Sequence, residues 1–149
     1  MLEPDFRDML VAFNRAGVEY IVVGAYALAA HGISRATRDF DLWVRGTPEN
    51  ADRVLSALAA FGAPRDVASK SDLLDPNIVI QIGVEPLRID IMTDISGVAF
   101  DEAQAASLRV EADGVAMPVL GRAQLLANKR ASGRKQDLLD IKSLEAQRR

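Results

Sequence analysis

The chain has 149 residues, of which 49% are hydrophobic and 26% charged, as expected of one folded globular domain. It contains no cysteine, which excludes disulfides and thiolate metal sites, and its net charge of −3 argues against a globally basic nucleic-acid-binding protein. No run approaches the ~18 apolar residues that span a bilayer. The N-terminus also lacks the apolar region of a secretory signal. We therefore expect a cytoplasmic protein with no membrane association.

Helices and strands alternate in the first half of the chain. Apolar periodicity and turn residues predict, in chain order, a helix over 5–16, a strand over 20–23, a helix over 25–31, a strand over 39–44 and a helix over 48–61. Thr47 is a suitable N-cap for the last of these helices, and Pro48 suits its first position.

The second half begins with strands and ends with helices. The pattern predicts strands over 78–82, 87–92, 108–112 and 115–120, followed by helices over 121–131 and 136–147. Asp113-Gly114 is a strong signal for a two-residue hairpin. We therefore expect an α/β (α+β) fold in one domain over 1–149, with a mixed β-sheet flanked by helices, a core over about 18–120 and a helical tail over 121–149.

Two acidic residues, Asp39 and Asp41, lie two positions apart on the second strand. Alternate side chains of a strand share a face, so both carboxylates point the same way, with Cα atoms about 6.5 Å apart. Such a pair can converge on a hard divalent cation, and without a cation the two charges repel. Taken singly, each would be interpreted as an ordinary acid on a half-exposed strand.

A third acid, Asp90, lies in the alternating strand LRIDIM. It shares a face with Arg88 and Met92, whereas the other apolar residues take the opposite face. If this strand neighbours the one that carries Asp39 and Asp41, three carboxylates meet at one place. Three carboxylates around divalent metals suit phosphoryl or nucleotidyl transfer.

These segments resemble the polymerase-β-like nucleotidyltransferase superfamily. The chain has VVGAYALAAHG, then RDFDLWV, then LRIDIM, and the family pattern is a strand, a small-residue turn, a helix, an Asp-x-Asp strand and a later acid. The segment Arg35-x-Thr37-x-Asp39-x-Asp41 and the tail LLANKRASGRKQDLLDI are similar to the AbiEii-like, toxin-type transferases. The resemblance extends over about residues 18–144 and implies a minimal nucleotidyltransferase fold.

The resemblance also implies site roles. Asp39 and Asp41 would hold two metal ions, Mg²⁺ or Mn²⁺, and Asp90 would hold the catalytic one and help to activate the acceptor hydroxyl. A nucleoside triphosphate (NTP) such as ATP would be the substrate. Gly24 and Ala25 would approach its phosphates.

Further residues are candidates for nucleotide contacts by the same resemblance. Arg35, Thr37 and Lys129 would lie near the triphosphate. The family has Gly or Ser where this chain has Ala25, which removes one hydrogen-bond donor.

Other residues have two interpretations. Trp43 and Tyr26 can stack on a base or pack in the core, with the core favoured for Trp43. His31, the only histidine, is interpreted as structural, and Arg38 as a weaker phosphate candidate. Asp137 and Asp140 look like acids at the start and on one face of the last helix.

The leading hypothesis is a metal-dependent transferase that moves NMP from an NTP to a hydroxyl on RNA, such as a tRNA 3′ end, or on protein. It includes the role of toxin paired with an antitoxin partner, and a small-molecule acceptor stays open. The alternative is a weak or inactive nucleotide-binding or antitoxin-type module. A third option is a structural protein with incidental acids.

Overall fold

The structure is a computed structural model that describes residues 2–34, 39–84 and 87–147. The helices are α1 (Pro4–Ala16), α2 (Gly24–Ala30), α3 (Pro48–Phe61), α4 (Phe100–Ala106), α5 (Arg122–Ser132) and α6 (Lys135–Ala146), with a 3₁₀ turn at Asp72–Leu74. The strands are β1 (Tyr20–Val23), β2 (Asp39–Val44), β3 (Val79–Val84), β4 (Leu87–Met92), β5 (Leu108–Ala112) and β6 (Val115–Val119).

All six strands form one mixed sheet in the order β3-β4-β2-β1-β6-β5. The pairs β2–β4 and β1–β6 are parallel, and the other three pairs are antiparallel. This arrangement confirms the predicted mixed sheet with flanking helices. It also places β2 beside β4, which the site requires.

Local sequence signals account for several element boundaries. The Thr47 side chain accepts a hydrogen bond from the Asn50 backbone amide, so it caps α3 as predicted. Asp113 and Gly114 both have positive φ, the conformation that a two-residue type I′ hairpin between β5 and β6 needs. The short helix α4 immediately precedes β5.

Aromatic side chains pack on both faces of the sheet. On one face the ring of Phe6, from α1, stacks on Phe40 of β2 with centroids 4.8 Å apart, and Tyr26 meets Phe40 edge-on. On the other face Trp43 is fully buried against Phe100 of α4. Trp43 and Tyr26 therefore serve core packing, and base stacking by either is not supported.

The helix α6 buries polar residues and exposes apolar ones. Asp137 and Asp140 are each 1% exposed, whereas Leu138 and Leu139 are more than half exposed. Leu144 is buried on the same side as the two acids. Among the described residues, no helix is long and apolar enough to cross a membrane.

Candidate functional site

The three predicted carboxylates lie on two neighbouring strands. Strand β2 pairs with β4 in parallel, with Asp41 opposite Asp90 and Asp39 opposite Arg88. Because these four positions share one face of the sheet, they form a square of three carboxylates and one guanidinium. A site shared by the three acids required β2 and β4 to be neighbours, and they are.

Arg88 binds two of the three carboxylates directly. Its Nε donates to Asp90 Oδ1 at 2.8 Å, and one terminal nitrogen donates to Asp90 Oδ2 at 3.1 Å and to Asp39 Oδ2 at 3.0 Å. The contact with Asp90 is bidentate, a strong geometry for an arginine–carboxylate pair. Arg88 was predicted on this face of the sheet, but no part in the site was expected of it.

Asp41 is in an environment that disfavours its charge. Burial raises the pKa of its carboxyl to about 6, and the nearby charges of Asp90 and Asp39 act in the same direction. The positive charges of Arg88 and Lys129 lower it only in part. A cation beside Asp41 would therefore be bound favourably.

Gly24 makes room for the Asp41 carboxylate. It has a φ of +70°, which L side chains rarely adopt, and a Cβ on it would collide with the Asp41 Oδ2 and lie 3.0 Å from its Cγ. The glycine at the end of β1 thus serves both the turn into α2 and the placement of Asp41. Ala25 follows in the first turn of α2 and is half-buried.

The carboxylates suit a hard divalent cation by their chemistry, since Mg²⁺ and Mn²⁺ prefer oxygen ligands. A guanidinium already lies against two of them, so the site attracts positive charge. Within the described residues, however, no group of three His, Cys, Asp or Glu side chains has an arrangement that could hold a metal ion. The donor set fits a metal, but a shared metal requires the side chains to rearrange.

Lys129 of α5 lies close enough to influence the site electrostatically, since its charge lowers the pKa of Asp41. Its ammonium is buried and paired with Asp140 at 2.9 Å and Asp137 at 3.2 Å. The burial of these two acids was missed, although their spacing with Leu144 (i, i+3, i+7) would have placed all three on one helix face. The role of Lys129 at a triphosphate stays a prediction.

Arg35, Thr37 and Arg38 fall outside the described residues. His31 contacts the Leu120 backbone oxygen through Nε2 at 2.7 Å, a contact that ties the end of α2 to the end of β6. This contact agrees with a structural role for the histidine.

Two solved structures share this fold. One is TM1012 of Thermotoga maritima, a candidate nucleotidyltransferase, with 17% identity and a TM-score of 0.60 over 97% of this chain and 93% of that one. The other is the lincosamide antibiotic adenylyltransferase LnuA in its lincomycin-bound form, with 18% identity and a TM-score of 0.59 over 98% of both chains. A comparison with curated proteins found no match.

A family comparison identifies the chain more directly. Residues 3–148 match the family described as "Nucleotidyl transferase of unknown function (DUF2204)". This match confirms the expectation of a transferase and the resemblance to polymerase-β-like nucleotidyltransferases. Because it extends over nearly the whole sequence, the chain belongs to this nucleotidyl transferase family.

Proposed function

We propose that this nucleotidyltransferase uses a divalent metal, Mg²⁺ or Mn²⁺, to transfer NMP from an NTP to a hydroxyl of RNA or protein. The observation that carries the proposal is the pairing of Asp41 with Asp90 across β2 and β4, with Asp39 on the same face. Three carboxylates from two strands at one position are the donor set that two-metal phosphoryl transfer needs.

In the proposed reaction the acceptor hydroxyl oxygen bonds to the α-phosphorus, and the bond to the β-phosphate oxygen breaks. Pyrophosphate leaves, and Asp90 helps to remove the hydroxyl proton. Asp39 and Asp41 would hold two metal ions, and Asp90 would also hold the catalytic one. Metal bound there would lower the pKa of the hydroxyl and neutralise phosphate charge. Gly24 keeps Asp41 in position for this role.

The triphosphate would lie between the turn at Gly24 and α5. In this proposal the backbone around Gly24 and Ala25 approaches the phosphates, and Arg35, Thr37 and Lys129 supply positive charge or hydrogen bonds. The methyl group of Ala25 gives no donor, so backbone and cationic groups carry phosphate binding. For Lys129 to take part, its ammonium must exchange at least one carboxylate partner for phosphate.

The acceptor is either a macromolecule or a small molecule. We propose RNA or protein, with the chain acting as a toxin held by an antitoxin partner, because the segment from Arg35 to Asp41 and the tail resemble the toxin-type transferases. A small-molecule hydroxyl is the second candidate. It is favoured by the similarity to a lincosamide adenylyltransferase, which aligns with this chain over 98% of both lengths.

One assay tests these proposals. The purified protein is incubated with Mg²⁺ or Mn²⁺ and each α-³²P-labelled NTP, and offered tRNA, total protein or a panel of hydroxyl-bearing antibiotics. We expect label transfer that EDTA abolishes and that Asp41→Asn and Asp90→Asn each reduce by at least about 100-fold, since each removes charge stabilisation at the reacting phosphate.

The outcomes separate the candidates. Label on tRNA or protein supports the leading proposal, and label on an antibiotic supports the second. Nucleotide binding by calorimetry without transfer to any acceptor, unaffected by Asp90→Asn, would indicate the inactive binding module instead. Transfer that persists in EDTA would contradict metal dependence.

A further inference from the structure

Arg88 bridges two of the three carboxylates that would hold a metal. It bonds both oxygens of Asp90 and one oxygen of Asp39, all within 3.1 Å. The Cα of Arg88 lies directly opposite that of Asp39 across the β2–β4 pair. The guanidinium is thus held by the sheet register itself, because its strand position aims it at these two acids.

We infer that Arg88 competes with the metal: its guanidinium balances Asp39 and Asp90 in the metal-free protein and must leave them when a divalent cation binds. This inference rests on the metal-dependent function proposed above. Arg88 would then control the metal affinity of the site, whereas Asp39, Asp41 and Asp90 would hold the metal.

The distances indicate that the two cations would repel each other. A divalent metal shared by these carboxylates would lie roughly 2.0–2.6 Å from their oxygens. Arg88 nitrogens lie 2.8–3.1 Å from oxygens of Asp39 and Asp90. The metal and the guanidinium would then be only about 4 Å apart in a partly buried site, where like charges repel strongly. The described side chains also lack a three-carboxylate arrangement for a metal, as expected while Arg88 holds two of the acids.

A supporting role is the alternative. Metal-binding carboxylates often accept hydrogen bonds from neighbouring groups, and loss of such a neighbour typically weakens metal binding about 10–100-fold. Arg88 bonded to Asp90 alone would fit that role. Its bridge to Asp39 favours competition, because it binds two carboxylates from different strands at once. The two roles predict opposite changes in metal affinity when Arg88 is replaced.

Competition has a consequence for the order of binding. A free metal ion must displace Arg88 and leave its guanidinium without a carboxylate partner at the site. A metal that arrives bound to a triphosphate also brings negative phosphate charge, with which the displaced guanidinium can pair. We therefore expect weak metal binding to the protein alone and tighter binding with nucleotide.

The test is a Mn²⁺ titration without nucleotide, followed by the electron paramagnetic resonance signal of free Mn²⁺. We expect Arg88→Gln to bind Mn²⁺ about tenfold more tightly than the wild type. In this variant the metal no longer has to break the hydrogen bonds between the guanidinium and the carboxylates of Asp39 and Asp90. Arg88→Lys, which keeps the charge but loses the bidentate geometry, should lie between them. If Arg88→Gln does not fold, the Mn²⁺ affinity of Arg88→Lys is compared with that of the wild type instead.

Arg45→Gln is a matched control. The Arg45 side chain is 22% exposed, against 24% for Arg88, and it also bridges two acids, Glu19 and Asp101. Its partners lie outside the candidate metal site, so we expect no change in Mn²⁺ affinity. A similar change in Arg45→Gln would show a general effect of charge and overturn the inference.

Asp90→Asn separates the inference from the function on which it rests. If Asp90→Asn weakens Mn²⁺ binding but neither Arg88 variant strengthens it, competition is wrong and the metal site stands. If Mn²⁺ affinity is the same in the wild type and in Asp90→Asn, the ion binds elsewhere, and both the metal site and the competition are wrong.

Discussion

Gly24 shows, at the scale of one residue, how a missing side chain positions a catalytic candidate. The Asp41 carboxylate lies against the Gly24 Cα, in the volume that a Cβ would occupy. The backbone also has φ +70°, so two separate physical reasons require glycine here. Gly17, at the end of α1, has φ +72° but nothing within 4 Å of an added Cβ.

We expect Gly24→Ala to cost clearly more stability than Gly17→Ala. The left-handed backbone alone should cost about 1 kcal/mol in both variants. In Gly24→Ala the methyl group must also displace the Asp41 carboxylate, which adds strain and moves a proposed metal ligand. Denaturant titration of both variants measures the difference, and the transferase assay should show loss only in Gly24→Ala. Equal costs would mean that the contact with Asp41 contributes nothing.

The elements α5 and α6 are joined by buried charges. Lys129 on α5 pairs with Asp137 and Asp140 on α6, and Arg134 adds a hydrogen bond to Asp137 at 2.8 Å. Buried carboxylates of this kind are stable only when they are paired. The helix therefore turns its acids inward, and its two exposed leucines face outward.

These ion pairs give a pH dependence with a definite sign. Burial by itself raises the pKa of Asp137, but hydrogen bonds from Arg134, Ser132 and Lys129 outweigh it and hold the pKa well below its usual value. Because the folded pKa lies below that of the unfolded chain, about 3.9, the stabilisation is complete above about pH 4. It is lost as the pH falls towards the folded pKa.

We expect Asp137→Asn to lower the free energy of unfolding by about 3–5 kcal/mol at pH 7, because it leaves Lys129 buried with less compensation. The difference in free energy of unfolding between variant and wild type should become smaller below about pH 4. Denaturant titrations at pH 7 and pH 3 measure this difference. Glu145→Gln is the control, since its pair with Arg130 is about half exposed and should contribute less than about 1 kcal/mol. A gap that stays constant with pH would contradict the assigned ion pairs.

Sequence reasoning succeeds for elements whose signals are local. The alternation in β2 and β4 and the turn at Asp113-Gly114 each depend on neighbouring residues, and all were predicted. The pairs of Arg88 with Asp39 and of Lys129 with Asp140 were not. The first depends on β4 pairing in parallel with a strand about fifty residues earlier, and the second on how α6 docks against α5. Neither arrangement is encoded in a local pattern.

At the scale of the whole molecule, the predicted core and the helical tail are in contact through several groups. Asn128 donates to the Ser96 backbone oxygen at 2.9 Å, and Gln147 donates to the His31 backbone oxygen at 2.7 Å. Leu125 and Leu144 are buried with the rest of the core. These contacts favour one cooperative unit, and the single domain over 1–149 stays a prediction.

We expect one unfolding transition that two probes report identically. Trp43 is the only tryptophan and is buried between β2 and α4, so its fluorescence reports the sheet core, whereas far-UV circular dichroism also reports α5 and α6. In a single cooperative unit the two denaturation curves coincide. Leu144→Ala, at a buried position of α6, should cost about 2–5 kcal/mol and move both curves together. If the dichroism curve moves alone, α5 and α6 unfold separately from the sheet, and Lys129 would then leave the site before the carboxylates do.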